Sequence, residues 1–190
     1  MKRLRSMEHR PPLPRRIAGN LALDFANTIS WRGTDREVDH LGDAEGMLAW
    51  AKDAGLVGAD FSVNATKRAV LVDDGRRLRR AIDEVGAAIA SGGGPAARGL
   101  AVIHDLAART FAAATLTGTP ANIEFAHGDR IIGPIAWAAV DLLRSGELGR
   151  LKRCPPQDCR WLFIDRTKNG SRRWCEMATC GNRAKLRLRR

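Results

Sequence analysis

The stretch CPPQDCRWLFIDRTKNGSRRWCEMATCGNR, residues 154–183, decides how this chain is built. Its cysteines, Cys154, Cys159, Cys175 and Cys180, are the only four in 190 residues, and they form two Cys-x4-Cys pairs across a 15-residue loop. Two close thiol pairs across such a loop match a structural zinc site, because each pair supplies two corners of a tetrahedron from one turn. Zinc needs thiolates, and Arg153, Arg160 and Arg173 favour them. No histidine follows His127, so the expected site is all-thiolate and closed, with no position for a catalytic water. Two disulfides or four free thiols are the alternatives. A cytosolic chain disfavours the disulfides, and a secreted framework would more often staple the whole chain.

Between the pairs, Trp161-Leu162-Phe163-Ile164 reads as a strand, Asp165 to Ser171 as a turn and Arg172-Arg173-Trp174 as the returning strand. Gly181 suits a tight knuckle where backbone amides approach sulfur. From Asn182 to Leu188 the residues favour helix. A hairpin and a helix around one zinc ion make a treble-clef-like finger.

Outward from the finger, charge divides the chain. Residues 151–190 hold 12 basic and 3 acidic side chains, residues 17–150 hold 14 and 17, and residues 1–16 hold six against Glu8. A nearly neutral middle therefore carries a basic arm and a strongly basic tail, for a net charge of +11. Such an excess makes a polyanion the expected partner. The length and 20.8 kDa mass suit one ordinary domain with a small appendage. With 44% hydrophobic and 28% charged residues, wholesale disorder is excluded.

The middle reads as helical. Ile17, Leu21, Phe25 and Thr28 mark a helix from Ile17 to about Ile29. Asp43 caps a second, with Met47, Leu48, Trp50 and Ala51, and Gly55 stops it. A third runs from about Asn64 to Ala90 with Val70, Leu71, Leu78, Ile82, Val85 and Ile89 inward, weakened at Gly75. After the Ser91-Gly92-Gly93-Gly94-Pro95 linker, a fourth from Ala96 to about Ala114 turns Leu100, Ile103, Ala107 and Phe111 inward. Alternation at Ile123 and Phe125 predicts a short hairpin over 115–126. A last helix runs from about Ile131 to Ser145. The expected fold is thus mainly α: an arm over 1–16 that Pro11, Pro12 and Pro14 keep extended or disordered, a helical domain over 17–150 with one short β-hairpin, and the finger over 151–190. The longest apolar stretch, Ile131 to Val140, is about half a membrane span. No signal-length apolar run follows the basic N-terminus, so a soluble, cytoplasmic protein is expected; Met7 is an alternative start.

Within the first helix, Asn20, Asp24, Asn27 and Trp31 recur at spacings of four, three and four, on one stripe flanked by apolar residues. A hydrogen-bond network that fixes the fold is the favoured reading, and a pocket for a small effector is the alternative. His104 shares a face with Leu100, Ala107 and Phe111 and reads as a core or boundary histidine. His9, His40 and His127 have no ligand-like spacing. The triple glycine lacks the Gly-Lys-Ser/Thr of a phosphate loop, and neither a nucleophile elbow nor a His-Glu-x-x-His helix is present. The sequence supports no enzymatic function.

Cys180-Gly181-Asn182-Arg183, preceded by Ser171-Arg172-Arg173-Trp174-Cys175 and Met177-Ala178-Thr179, resembles the CGNR zinc finger. The run Gly19-Asn20-Leu21-Ala22-Leu23-Asp24-Phe25-Ala26-Asn27-Thr28, followed by Leu48-Ala49-Trp50-Ala51 and Gly55-Leu56, resembles the ABATE domain, which typically precedes that finger. The resemblance implies a bacterial, stress-induced transcription regulator that binds zinc and DNA. It implies Cys154, Cys159, Cys175 and Cys180 as ligands of one zinc ion, with Asn182 and Arg183 completing the motif.

The leading expectation is therefore a DNA-binding regulator whose helical domain senses an effector or forms a homodimer. Arg172, Arg173, Trp174, Asn182, Arg183, Lys185 and Arg187 are its candidate nucleic-acid contacts, with Arg173 or Arg183 reading bases. Some of these arginines would instead offset the −2 charge of a zinc tetrathiolate, for which two or three are enough. Three alternatives stand beside it. One is a redox-responsive zinc–thiolate switch. Another is an RNA-binding finger that stacks bases on Trp161 and Trp174. The last is an enzyme supported only by the Asn20-Asp24-Asn27 stripe.

Overall fold

Asn20 sets where the first helix begins. In the computed structural model, which describes residues 11–187, its side chain accepts the backbone N–H groups of Ala22 and Leu23 and caps helix α1, Leu21–Ala26. Such a cap satisfies donors that the first helical turn leaves open. The expected helix from Ile17 to Ile29 is therefore much shorter. Upstream, Gly19 takes a left-handed φ of +84°, and the Ala18 carbonyl accepts the N–H of Ile164, 2.9 Å away. A long-range backbone pairing thus claims residues that helical periodicity assigned to the helix.

After α1, strand β1, Ile29–Ser30, pairs antiparallel with β2, Val38–Asp39. Helix α2, Ala44–Asp53, starts where expected, because Asp43 accepts the Gly46 N–H at 2.7 Å. Helix α3, Ala65–Ala90, is capped by Asn64 and is the longest element. Its buried stripe of Leu71, Leu78, Ala81, Ile82 and Val85 packs against α1, α4, Ala97–Ala112, and α5, Ile132–Arg144. Gly75 lies within this packing. A Cβ there would stand 1.9 Å from Met47 Cε, so the residue that weakens the helix lets α2 approach it closely. Phe25 and Trp50 meet edge to face at 5.1 Å in the centre of the core.

Three expected inward positions face solvent instead, and so does His104, which the sequence reads as a core or boundary histidine. Val70 is 55% exposed, Leu100 36% and Phe111 38%, and His104 is exposed beside Asp105. In α4 the buried line is Ile103, Leu106, Ala107 and Thr110, so the inward face is rotated from the one predicted. The hairpin is present as β3, Thr115–Thr117, paired with β4, Asn122–Glu124. About 51% of the described residues are helical, as a mainly α fold requires.

The finger's β-pairing differs from expectation. Strand β6, Leu162–Ile164, pairs antiparallel with β5, Leu151–Arg153, which precedes the first cysteine. Residues Arg172–Trp174 form no strand. Arg172 instead lies over the Phe163 ring, 4.4 Å from its centroid, and donates to the carbonyls of Ile17, Ile164, Trp174 and Cys175. A side chain that bridges four carbonyls replaces a ladder there. A π-helical turn over Met177–Gly181 leads into α6, Asn182–Arg187, at the predicted helix.

One hydrophobic core continues from the helices into the finger, with Leu162, Phe163 and Ile164 buried in it. A Cβ at Gly86 of α3 would stand 2.6 Å from Leu162 Cδ1, so glycine permits the close approach. From the basic arm, Arg15 pairs with Glu176 and Arg16 with Asp53. The remainder of the arm, residues 1–10, lies outside the described residues, as do Leu188, Arg189 and Arg190.

Candidate metal centre and basic surface

The two Cys-x4-Cys turns bring their sulfurs together. All four Sγ atoms lie within 4.8 Å of one another, and all four cysteines are buried. Cys159 and Cys180 each lie 3.6 Å from Cys175, sulfur to sulfur. A disulfide needs about 2.05 Å, so these thiols are free. Four sulfurs at about 2.3 Å from one zinc ion in a tetrahedron stand about 3.8 Å apart. The cluster fits that requirement, and its all-sulfur donor set suits zinc. The four cysteines would hold one structural zinc ion, whose metal–thiolate bonds would close the finger.

Hydrogen bonds favour thiolate at Cys154 and Cys180, while the neighbouring thiols and burial push Cys159 and Cys175 up. The Cys175 N–H donates to Cys154 Sγ at 3.4 Å, and the Arg183 guanidinium to Cys180 Sγ at 3.1 Å. Hydrogen bonds from the other three thiols, joined by Arg183, hold the Cys180 thiol far below its ordinary range. Cys154 N–H donates to the Trp161 carbonyl at 2.8 Å, which fixes the first turn on β6.

The three acidic residues of the finger each anchor a cation. Asp158 accepts from Arg183 at 3.3 Å and from Arg187 at 3.2 Å. Glu176 pairs with Arg15. Asp165, fully buried, accepts from Lys152 Nζ at 2.6 Å, from both the N–H and hydroxyl of Thr167, and from the Arg172 N–H. Burial alone would push its carboxyl up; the Lys152 ammonium and the Thr167 donors outweigh burial and hold it well below the usual carboxylate range. These anchors are absent from the sequence-based set. Their signal was rarity, three acids among twelve bases.

A carboxyl depressed on folding stabilises the protein above its unfolded value, and that contribution is lost as pH falls through the folded one. Asp165→Asn should therefore lower the melting temperature at pH 7. Its deficit against the parent chain should close only below about pH 4. Thermal melts of both proteins across pH check this, and an equal melting temperature at pH 7 would contradict it.

The candidate nucleic-acid residues separate into two groups. Arg172 is engaged by backbone carbonyls, Arg183 by Cys180, Asp158 and the Trp31 ring 4.3 Å away, and Arg187 by Asp158. Trp174 is half-buried against the core. Arg173 and Lys185 are exposed and form no ion pair with a described residue. Arg160 and Lys168 share that condition and were not among the candidates. Asn182 is exposed and donates to the Ala178 carbonyl.

The N-terminal stripe does not converge on one cavity. Asn20 caps α1, and Asp24 accepts the Ala18 N–H at 2.9 Å. Burial raises the Asp24 carboxyl above its ordinary value despite that bond. Asn27 is buried and exchanges two hydrogen bonds with the backbone of Leu162, donating to its carbonyl at 2.8 Å and accepting its N–H at 2.9 Å. Trp31 stands apart with a left-handed φ of 56°. It lines a cleft of about 380 Å³ with Trp161, Asn182, Arg183 and Leu186.

A helical domain joined through one core to a four-thiol finger is the architecture of a zinc-finger protein. Residues 19–146 match the ABATE family model, described as "Putative stress-induced transcription regulator", and residues 150–190 match the CGNR zinc finger. The first match spans about two thirds of the chain, and the protein belongs to the ABATE family. Neither family is an enzyme family. A comparison with curated proteins gives no match. Among the described residues, no helix is long and apolar enough to cross a membrane.

Proposed function

We propose that this chain is a zinc-stabilised, DNA-binding transcription regulator. In this reading the finger holds exposed cations against duplex phosphates, while the helical domain senses an effector or dimerises. The observation that carries it is the set Arg160, Lys168, Arg173 and Lys185, exposed on the finger without a carboxylate partner among the described residues. The finger's other described cations are held by Asp83, Asp158, Asp165, Glu147 or backbone carbonyls. Four unpaired cations on a rigid metal-closed module are available for phosphate, and phosphate contacts dominate affinity. Arg173 is the base reader of choice, because Arg183 is already committed to Cys180 and Asp158.

The test is binding of the zinc-loaded chain to duplex DNA as a function of salt. Three phosphate contacts from Arg160, Lys168 and Lys185 correspond to a slope of log K against log salt of about −2.7, and Lys185→Ala should make it shallower by about 1, whereas Arg173→Ala should relax sequence preference. A flat salt response sinks the reading. Preference for single-stranded RNA over duplex in direct competition would transfer the function to RNA. Against that outcome, the Trp161 indole N–H is engaged by the Ile29 carbonyl at 2.9 Å, and Trp174 is half-buried.

A further inference from the structure

Arg76, Arg79, Arg80 and Asp83 recur along α3 at spacings of three, one and three, and therefore share one face of the helix. The β1–β2 hairpin lies over that face. With Arg32 and Asp39 from the hairpin, these residues enclose a cavity of about 430 Å³, within the size range of small-molecule sites. Four guanidinium groups meet only two carboxylates there, so the lining carries two unbalanced positive charges.

Two of the arginines are fixed in place. Arg79 is buried and forks onto Asp39 at 2.5 and 2.7 Å. Arg32 donates to Asp83 at 3.3 and 3.4 Å and to the Ala26 carbonyl. The other two are exposed. Arg76 donates to the Gly42 carbonyl at 2.6 Å, and neither it nor Arg80 forms an ion pair with a described residue. Like charges four residues apart on a helix repel each other, and no direct ion pair with a described carboxylate offsets that repulsion. Two free guanidinium forks beside two fixed ones form a receptor for an oxyanion that accepts bidentate hydrogen bonds.

We propose that this cavity binds a small, multiply charged oxyanion, phosphoryl or polycarboxylate, captured by Arg76 and Arg80 above a floor of Arg32 and Arg79. Asp39 and Asp83 disfavour a weakly charged ligand, because their carboxylates repel any anion that does not engage several guanidiniums. Asp83 also joins the site to the finger. It accepts from Arg32 and, at 3.4 Å, from Arg153 of β5, the residue before Cys154. An anion that draws on Arg32 leaves Asp83 to Arg153, so occupancy reaches the strand that enters the metal centre. This consequence rests on the sensing half of the function proposed above; anion binding itself does not.

The experiment is calorimetric titration of the full-length, zinc-loaded chain in chloride buffer, with inorganic phosphate and with citrate as separate probes. The same titrations are repeated on the Arg76→Ala/Arg80→Ala variant, whose zinc content and melting temperature without anion report its fold. At least one probe should bind at one site per chain, and the double variant, retaining zinc, should bind it at least tenfold more weakly. The probe that binds distinguishes phosphoryl from carboxylate recognition. No heat from either probe overturns the proposal, as does equal binding by the double variant. Loss of duplex affinity in the variant with no anion binding by the parent also overturns it, making these arginines DNA contacts. Anion binding by a chain that ignores duplex DNA supports the site while removing the regulator reading.

Discussion

Replacing Cys175 with serine should release the zinc ion and destabilise the whole chain rather than its last forty residues alone. Cys175 is the hub of the cluster. Its sulfur lies 3.6 Å from both Cys159 and Cys180, and its N–H supports Cys154. A serine hydroxyl does not ionise as a thiolate does, so three buried thiolates would lose their fourth partner in a site built to be closed. The loss spreads because β6, held between the two cysteine pairs, is buried in the same core as Leu23 and Val85. With structural zinc coupled to folding, a destabilisation of about 4 kcal/mol corresponds to a melting temperature lower by about 8–16 °C in a protein of this size. Metal content and thermal melts of the variant check both parts. One zinc ion per variant chain, or an unchanged melting temperature, would mean that these sulfurs do not close the fold.

The second large effect separates docking of the finger from its metal. Asn27→Ala should keep zinc bound yet lower stability by about 3 kcal/mol, since it leaves two buried backbone groups of Leu162 unpaired at about 1–3 kcal/mol each. The melting temperature should fall by about 6–12 °C. Asn27→Asp, which retains the acceptor for the Leu162 N–H but sets a carboxylate oxygen against the Leu162 carbonyl, should not rescue it. The discriminating measurement is zinc stoichiometry beside the melt. If Asn27→Ala melts like the parent, the pair between Asn27 and Leu162 is not what fastens the finger to α1.

These two variants also show which features were legible in the sequence. The cysteine spacing located the metal centre, because ligands drawn from two short turns are a local property. Asp43 and Asn64 placed the starts of α2 and α3 for the same reason, since a cap acts within three residues of itself. Alternation at Ile123 and Phe125 was enough for the β3–β4 hairpin.

Long-range pairing defeated the same kind of reasoning elsewhere. Ala18 continues a helical pattern, yet its carbonyl serves Ile164 across the fold, and α1 begins only at Leu21. Spacing points to Arg172–Trp174 as the partner of β6, but Leu151–Arg153 pairs with it and Arg172 is held by four carbonyls. Basic composition alone does not distinguish Arg173, open to solvent, from Arg183, held by Cys180, Asp158 and Trp31.

By itself, then, the sequence determined the two cysteine pairs that cluster, most helix boundaries and the excess of positive charge, all set by neighbours a few residues apart. Only the tertiary structure decided which cations remain free, where the finger docks and what Asn27 holds. Each of those depends on a partner thirteen or more residues away, and periodicity carries no record of such a partner.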